Sequence, residues 1–312
     1  MLKQVMEMYE LLDKADASGK EVKDYFCSKG NQTVIVEKVM GDGGSTDFIK
    51  IVLPGKNGKI KGGHAPTLGI TGRLGGLGAR PEVVGFVSDG DGALAALSVA
   101  SKLIDMKNNG DVLNGDVIIT THICPDAPTN EHYPVRFMGS YVDMETMNKL
   151  EVTDEMDAIL SVDTTKGNKV INTRGFAISN TVKEGYILKV SDDLLEIMMR
   201  TTGKLPFVFP ISQQDITPYG NGLYHLNSIL QPAIATKAPV VGVAITTEVA
   251  VAGCATGSTN IVDIEGVCRF VIEVAKDMGE GKCKIYDEEE FSLIKDLYGD
   301  MTKFQTKGVK SI

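Results

Sequence analysis

The sequence lacks tryptophan and contains little of several features that mark particular protein classes. Aromatic residues make up only 6% of its 312 residues, so we do not expect a wide stacking surface for bases or sugars. Lys and Arg number 32 against 41 Asp and Glu, a formal net charge of −9, which argues against a nucleic-acid partner because such proteins present a basic face. No apolar run approaches the roughly 20 residues of a membrane-spanning helix. The charged N-terminal segment is unlike a secretory signal. We therefore predict neither a nucleic-acid nor a membrane partner.

Cysteine is also scarce. The chain has five cysteines, an odd number without a CxxC pair, which predicts reduced thiols and a cytoplasmic location. Hydrophobic residues make up 43% and charged residues 23%, an ordinary composition for a globular protein. A chain of this length can bury a large core without disulfides or metal ions.

Short apolar runs alternate with segments of helical periodicity, which predicts an α/β fold with a mostly parallel sheet. We interpret residues 1–312 as one domain, with 281–312 as a C-terminal extension. Ser18, followed three residues later by Glu21, predicts a helix N-cap. The predicted strands are 33–40, 48–53, 83–88, 117–124, 158–162, 207–211 and 240–245, and the predicted helices are 1–14, 19–30, 93–106, 138–150, 194–202, 223–230, 264–278 and 287–298.

Polar side chains stand where several predicted strands end. In open parallel sheets, ligands collect at the carboxyl ends of the strands. Histidine with carboxylate is the ligand set of zinc and related divalent ions, which turn bound water into a nucleophile. We predict one or two ions, most simply zinc, held by His64, Asp89, His122 and Asp163. Asp126, with His122, is the candidate for general base catalysis.

Each of these residues also has a purely structural interpretation. Asp89 could cap a helix, Asp163 could stabilise an Asx turn, and His64 could be an ordinary loop residue. Asp91 is better explained as an acid in the first turn of a helix. Cys124 is either a buried thiol or, with His122, the nucleophile of a metal-free enzyme.

Three further residues are candidates for contact with a substrate: His132 in a predicted loop, His225 in a predicted helix, and Thr256 near the last helix. The glycine-rich stretch Gly72–Gly78 is not interpreted as a phosphate loop. Such a loop needs a strand before it and a helix directly after it, and Pro81 follows here instead.

Several segments in order resemble one enzyme group. These are LLDKADASGKEVKDYF near the N-terminus, IKGGHAPTLGI, SDGDGALAALSVASKL, AILSVDTTKGN, and VVGVAI followed by ATGSTNIVDIEG. Together they resemble the di-zinc aminopeptidase clan, in particular its glutamyl aminopeptidase and endoglucanase-type branch. The resemblance implies a three-layer α/β/α sandwich of the phosphorylase/hydrolase type and a homo-oligomer. It also implies His64 as the first metal ligand, Asp89 as the bridging carboxylate and Asp163 as a ligand of the second metal.

The chain departs from that clan at three positions. The clan's His-x-Asp is His64-Ala65-Pro66 here, and its Glu-Glu pair is absent, with His122 and Asp126 nearest to that place. The last metal histidine aligns near Thr256. Three functions therefore remain open at this point. One is a metal-dependent hydrolase of small peptides, amides or acyl-amino acids, and another is a non-catalytic descendant that binds a small molecule or a partner. The third is the metal-free enzyme that uses Cys124 or His122.

Overall fold

The computed structural model describes residues 1–30, 33–78, 85–131, 137–226, 228–249, 257 and 259–308. These residues form a mixed α/β structure. Its helices are α1 (Leu2–Leu12), α2 (Gly19–Ser28), α3 (Asp91–Asn108), α4 (Met144–Glu151), α5 (Asp192–Thr202), α6 (Ile261–Gly279) and α7 (Glu288–Tyr298). Its strands are β1 (Val34–Gly41), β2 (Gly44–Leu53), β3 (Leu68–Gly72), β4 (Val117–Ile123), β5 (Thr129–Asn130), β6 (Phe137–Met138), β7 (Ala158–Thr164), β8 (Gly175–Ile178), β9 (Val182–Lys183), β10 (Tyr186–Ile187) and β11 (Val240–Thr246).

The main sheet is open and has the order β1-β2-β4-β3-β7-β11-β9-β10, with β8 also paired to β11. Its four central strands, β4, β3, β7 and β11, run parallel. Antiparallel pairs flank them, with β2 on β4 at one side and β8 and β9 on β11 at the other. The prediction of an α/β fold built on a parallel sheet core is thus confirmed.

Both faces of the central strands are buried. Ile119 and Leu160 pack into one hydrophobic cluster, whereas their neighbours Ile118 and Ile159 pack into another. Because successive side chains of a strand point to opposite faces, the two clusters lie on opposite sides of the sheet. This is why the strands appear in the sequence as continuous apolar runs.

Most predicted elements are present, with ends shifted by a few residues. Ser18 caps α2 as expected, since its side chain accepts a hydrogen bond from the backbone N–H of Glu21 at 3.3 Å. The helix predicted over 138–150 begins only at Met144, where Asp143 provides the cap. The strand predicted over 207–211 is reduced to a single bridge between Ile178 and Val208.

Two predicted elements are wrong within the described residues. Residues 85–90 contain a bend and a 3-10 turn rather than the end of a strand. The sheet position is instead taken by β3, whose two glycines hide it in the sequence. Residues 223–226 and 228–230 are not helical, because Gly220 and Gly222 turn the chain with φ of +82° and +85°.

The C-terminal residues fold back onto the sheet's β10 end. Tyr186 donates a hydrogen bond from its hydroxyl to the backbone carbonyl of Gly299 at 2.5 Å. The side-chain amide of Gln305 donates to the carbonyls of Ala233 and Thr236, each at 2.7 Å.

Within the described ranges, no helix combines the length and apolarity needed to cross a bilayer.

Candidate functional site

The carboxyl ends of β3, β4 and β7 lie side by side and bring Arg73, His122 and Asp163 to one edge of the sheet. Asp89 reaches the same edge from the turn before α3. A cavity of about 270 Å³, here called the acid cavity, opens at this edge. Its lining consists of Leu74, Gly76, Asp89, His122, Cys124, Ala127, Met138, Gly139, Ser140, Val142, Met144, Met147, Tyr219 and Ser228.

One wall of the acid cavity is the glycine-rich segment that follows β3. Its backbone continues beside β4, with Cys124 N–H donating to the carbonyl of Gly75 and Leu77 N–H donating to the carbonyl of Cys124, both at 2.9 Å. A Cβ atom on Gly75 would lie 1.5 Å from the carbonyl oxygen of His122, and one on Gly76 would lie 1.9 Å from Sδ of Met138. The glycines therefore allow the close approach that shapes the cavity.

Behind the cavity, His122 belongs to a fully buried ionic network. Its Nδ1 lies 2.5 Å from Oε1 of Glu151, and Nε of Arg73 lies 2.6 Å from Oε2 of the same carboxylate. Burial alone would raise the pKa of Glu151, but the Arg73 guanidinium and His122 outweigh it and hold that pKa below its ordinary value. Arg73 also donates to Oδ1 of Asn148 at 2.7 Å.

The second ring nitrogen of His122 is occupied as well. The backbone N–H of Gly75 donates to Nε2 at 3.2 Å, so Nε2 acts as the acceptor and Nδ1 carries the proton that faces Glu151. Both nitrogens are thus used in internal hydrogen bonds. This arrangement makes His122 a structural support of the cavity wall.

Asp89 and Asp163 form the acidic part of the site. Burial, with repulsion from Asp163 and Asp91, raises the pKa of Asp89 well above its ordinary value. Burial raises the pKa of Asp163 to about 7, although it accepts hydrogen bonds from Thr164 N–H at 2.7 Å and from the Ser228 hydroxyl at 3.1 Å. The two carboxyl groups therefore hold protons at a pH at which exposed carboxyls have lost theirs.

Asp91 begins α3, in agreement with its interpretation as a first-turn acid. Its carboxylate accepts hydrogen bonds from the hydroxyls of Thr259 at 2.6 Å and Thr164 at 3.4 Å. Burial raises its pKa to about 7, while Lys166 and the two hydroxyls limit the rise. Asp91 does not line the acid cavity, but its charge adds to the cost of ionising Asp89.

Two predicted site residues lie elsewhere. His64 is exposed and precedes β3, at the amino ends of the parallel strands. The loop there is organised by Asp116, whose carboxylate accepts from the N–H groups of Gly55 and Ile60. Since His64 lies at the opposite edge of the sheet, it does not join Asp89 and Asp163. Asp126 is exposed and outside the cavity lining, so its proposed role as general base has no geometric support.

The other residues that the sequence singled out do not share one location. His225 lies behind the cavity wall, where its ring packs edge-on against Tyr219 with centroids 4.6 Å apart. Cys124 lines the cavity, but burial and the nearby Asp126 carboxylate raise its thiol pKa to about 12. That value disfavours the thiolate that a nucleophile needs. His132 and Thr256 lie outside the described residues.

The described side chains do not fit the predicted zinc site. Among them, no group of three or more His, Cys, Asp and Glu residues could hold a metal ion. His64 lies at the wrong edge, and both nitrogens of His122 already have hydrogen-bond partners. Of the four predicted ligands, His122 shares an edge with Asp89 and Asp163 but has both nitrogens occupied, so the two carboxyl groups remain. We therefore derive no chemical step through a metal.

Sequence reasoning missed Arg73, Glu151, Tyr219 and Ser228. Arg73 directly follows β3, the strand that the sequence did not reveal, so its place at the sheet edge went unnoticed. Glu151 lies at the end of α4 as an apparently ordinary helical acid. Tyr219 precedes the segment 223–230 that was mistaken for a helix, and Ser228 lies within it. A signal for Arg73 would have been present had β3 been recognised, because an arginine between a buried strand and a glycine-rich segment requires a partner.

Comparison with known proteins places most of the chain in one family. Residues 37–308 match the family described as "Protein of unknown function (DUF1177)". The match covers far more than half of the sequence, and the chain belongs to this family. No curated protein matches it. The resemblance to the di-zinc aminopeptidases stays a prediction.

Proposed function

We propose that the acid cavity binds a small organic molecule that carries an ammonium group and an apolar side chain. The observation that carries this proposal is the buried carboxyl of Asp89 in the cavity lining, beside Met138, Met144 and Met147. Asp163 lies behind this lining and is joined to it by the hydrogen bond from the Ser228 hydroxyl. The proposal is a form of the binding function that the sequence left open. It requires no metal and no nucleophile.

The charge state of the pair favours a cationic ligand. Asp89 and Asp163 are each less than one-tenth exposed, at 6% and 4%, and the charge of Asp163 opposes ionisation of Asp89. A buried carboxylate is costly without a positive partner. Arg73, which is already paired with Glu151, offsets only part of this cost for Asp163, whose pKa stays raised. An ammonium group beside the pair would replace a bound proton and satisfy the resulting negative charge. Ligand binding is then coupled to proton release.

The volume of the acid cavity and its other lining residues indicate the size and the polarity of the rest of the ligand. A volume of about 270 Å³ is near the lower end for small-molecule sites, roughly 300–1,000 Å³. Methionine side chains are flexible and adapt to apolar groups of different shape. The Ser228 hydroxyl donates to Asp163 at 3.1 Å, and the Tyr219 hydroxyl is hydrogen-bonded to Ser228, so both provide polar contacts near the charged end. The site fits an aliphatic amine or an amino-acid derivative.

A second candidate function, amide hydrolysis without a metal, is favoured by the high pKa values of the same pair. Ionised Asp163 would take a proton from water as the water oxygen bonds to the amide carbon. Protonated Asp89 would give its proton to the leaving nitrogen as the carbon–nitrogen bond breaks.

We also propose that the fold is the three-layer α/β/α sandwich implied by the resemblance. It is supported by the buried clusters on both sides of the sheet.

Calorimetric titration with 3-methylbutylamine tests the binding proposal, with 3-methylbutan-1-ol as a probe of similar shape and no charge. We expect the amine alone to bind. We also expect its affinity to rise between about pH 6 and pH 8, as Asp163 loses its proton. Asp89→Asn should abolish binding, whereas the same substitution at the exposed Asp296 should leave it unchanged.

Two further experiments distinguish amine binding from metal binding and from hydrolysis. Titration with zinc or manganese chloride asks whether the pair prefers a divalent ion to an ammonium group, an outcome that would restore the metal-dependent hydrolase. Incubation with leucinamide, followed by NMR detection of leucine, tests hydrolysis. Equal binding of amine and alcohol, or binding that Asp89→Asn leaves intact, would overturn the proposal.

A further inference from the structure

A second, larger cavity adjoins the acid cavity. It has a volume of about 740 Å³ and is here called the outer cavity. Met144 and Tyr219 line both cavities. The lining of the outer cavity includes the buried residues Asn148 and Gln231 and, from the C-terminal segment, Gln305. The side chains of Met144 and Tyr219 thus lie between the acid cavity and the outer cavity.

We propose that the two cavities form one binding site, in which the outer cavity receives the distal part of a ligand whose amine end lies at Asp89 and Asp163. This inference rests on the proposed function. It assigns Met144 and Tyr219 as the residues that determine how long a ligand the site accepts. It also extends the ligand class from small amines to longer amino-amides.

The two separating side chains differ in how firmly they are held. Tyr219 packs against His225, whose Nε2 and Nδ1 lie 2.9 and 3.1 Å from the carbonyl oxygens of Thr217 and Leu223. Met144 is half-buried at the start of α4, and its sulfur lies 2.9 Å from Nη1 of Arg73. An unbranched methionine has several accessible rotamers. Movement of Met144, with loss of its contact to Arg73, would join the cavities, while Tyr219 provides the fixed wall.

The charges around the outer cavity specify the distal group. Asp143 and Glu145 are balanced by Lys149 and Lys307 in its lining, so the cavity has no net charge to attract an ion. The Asp143 carboxylate is already used, since it accepts from Thr146 N–H at 2.7 Å as the cap of α4. An uncharged distal part with hydrogen-bonding groups, such as an amide, suits this lining best.

A ligand series tests the inference at pH 7. We expect affinity to increase from 3-methylbutylamine to leucinamide to leucyl-glycinamide, with the last step giving about tenfold or more. Leucyl-glycine, which ends in a carboxylate, should bind no better than the amide. Ala235→Trp places a bulky ring in the outer cavity at an exposed position, so it should remove the gain from length and leave 3-methylbutylamine unaffected. Ala15→Trp, at another exposed alanine, is the matched control.

A measurement on the unaltered protein gives an independent readout. Ile234 lines the outer cavity and not the acid cavity. Its δ1 methyl signal, assigned through Ile234→Val, should shift with leucyl-glycinamide and not with 3-methylbutylamine. Charge-dependent binding of 3-methylbutylamine without any gain from length, and without a shift of Ile234, would overturn this inference alone. If no amine binds, the proposed function fails and this inference fails with it.

Discussion

Nδ1 of His122 lies 2.5 Å from Oε1 of Glu151, and the other oxygen of that carboxylate lies 2.6 Å from Nε of Arg73. One buried carboxylate therefore joins the end of β3, the end of β4 and the end of α4. The contact places the proton of His122 on Nδ1 and leaves Nε2 as the acceptor for the Gly75 N–H. It also explains why this histidine is unsuited to metal binding.

The first prediction concerns the stability that this carboxylate provides. Glu151→Gln keeps the shape of the side chain but leaves the fully buried Arg73 without its counter-charge. Breaking a buried ion pair in this way costs roughly 3–5 kcal/mol in the free energy of unfolding, which urea denaturation monitored by circular dichroism would measure. Glu289→Gln, at an exposed position, should change it by less than about 0.5 kcal/mol. A similar small effect at both positions would contradict this account of the network.

The second prediction is a pH dependence of stability caused by Asp163. Its pKa is about 7 in the folded protein against an ordinary value of 3.8, so the folded state binds the proton more tightly than the unfolded state does. The resulting stability is present at low pH and is lost as the pH rises through about 7. Asp163→Asn cannot ionise, so its stability relative to wild type should increase with pH.

Urea denaturation at about pH 5 and pH 8.5 would measure this change, expected to be on the order of 2 kcal/mol in favour of the variant at the higher pH. The comparison uses the difference between variant and wild type because other groups titrate over the same range. Asp296→Asn, which removes an exposed carboxyl, should show no such trend. A constant difference between Asp163→Asn and wild type would refute the assignment.

Sequence analysis recovered the elements whose patterns are long and uninterrupted. The apolar runs of β4, β7 and β11 and the periodicity of α3 and α6 gave their positions to within a few residues. It failed where glycine obscured the pattern. Leu68–Gly72 has too few apolar residues to be recognised as a strand, and without β3 the position of Arg73 could not be inferred.

The candidate site, like the fold, was only partly predictable from the sequence. Asp89, His122 and Asp163 were identified because each lies at or just after the end of a predicted strand. The structure brings all three to one edge of the sheet. His64 was assigned to that edge because it seemed to follow an extended segment, and the resemblance agreed, yet it precedes β3 and lies at the opposite edge. Glu151 and Tyr219 reach the site only through tertiary packing, which no local pattern in the sequence records.

The third prediction concerns the cysteines. Burial raises the thiol pKa of Cys124 and Cys283 to about 12 and also raises that of Cys268, whereas Cys27 is only half-buried. Iodoacetamide reacts with thiolates, so brief labelling of the folded protein at about pH 8 should modify Cys27 well before these three. Peptide mass mapping would measure the order, with labelling in urea as the control. Rapid labelling of Cys124 in the folded state would revive its interpretation as a nucleophile.

The last prediction compares two glycines that look equivalent in sequence. Gly75→Ala would place a Cβ atom 1.5 Å from the carbonyl oxygen of His122, a contact that only a backbone shift relieves. Since the Gly75 N–H is also the donor to Nε2 of His122, that shift would disturb both the cavity wall and the hydrogen bond that orients the ring. We expect a loss of roughly 2 kcal/mol or more in unfolding free energy and weaker binding of 3-methylbutylamine.

Gly266 is the matched control for this substitution. It lies inside α6, and a Cβ atom there meets nothing within 4 Å. Alanine is favoured over glycine in a helix interior by about 0.5–1 kcal/mol, so Gly266→Ala should raise stability and leave amine binding unchanged. Thermal and urea unfolding of the two variants therefore have opposite expected signs. If Gly75→Ala were as stable as wild type, the glycine-rich segment could not lie against β4 as described, and the acid cavity would lose its wall.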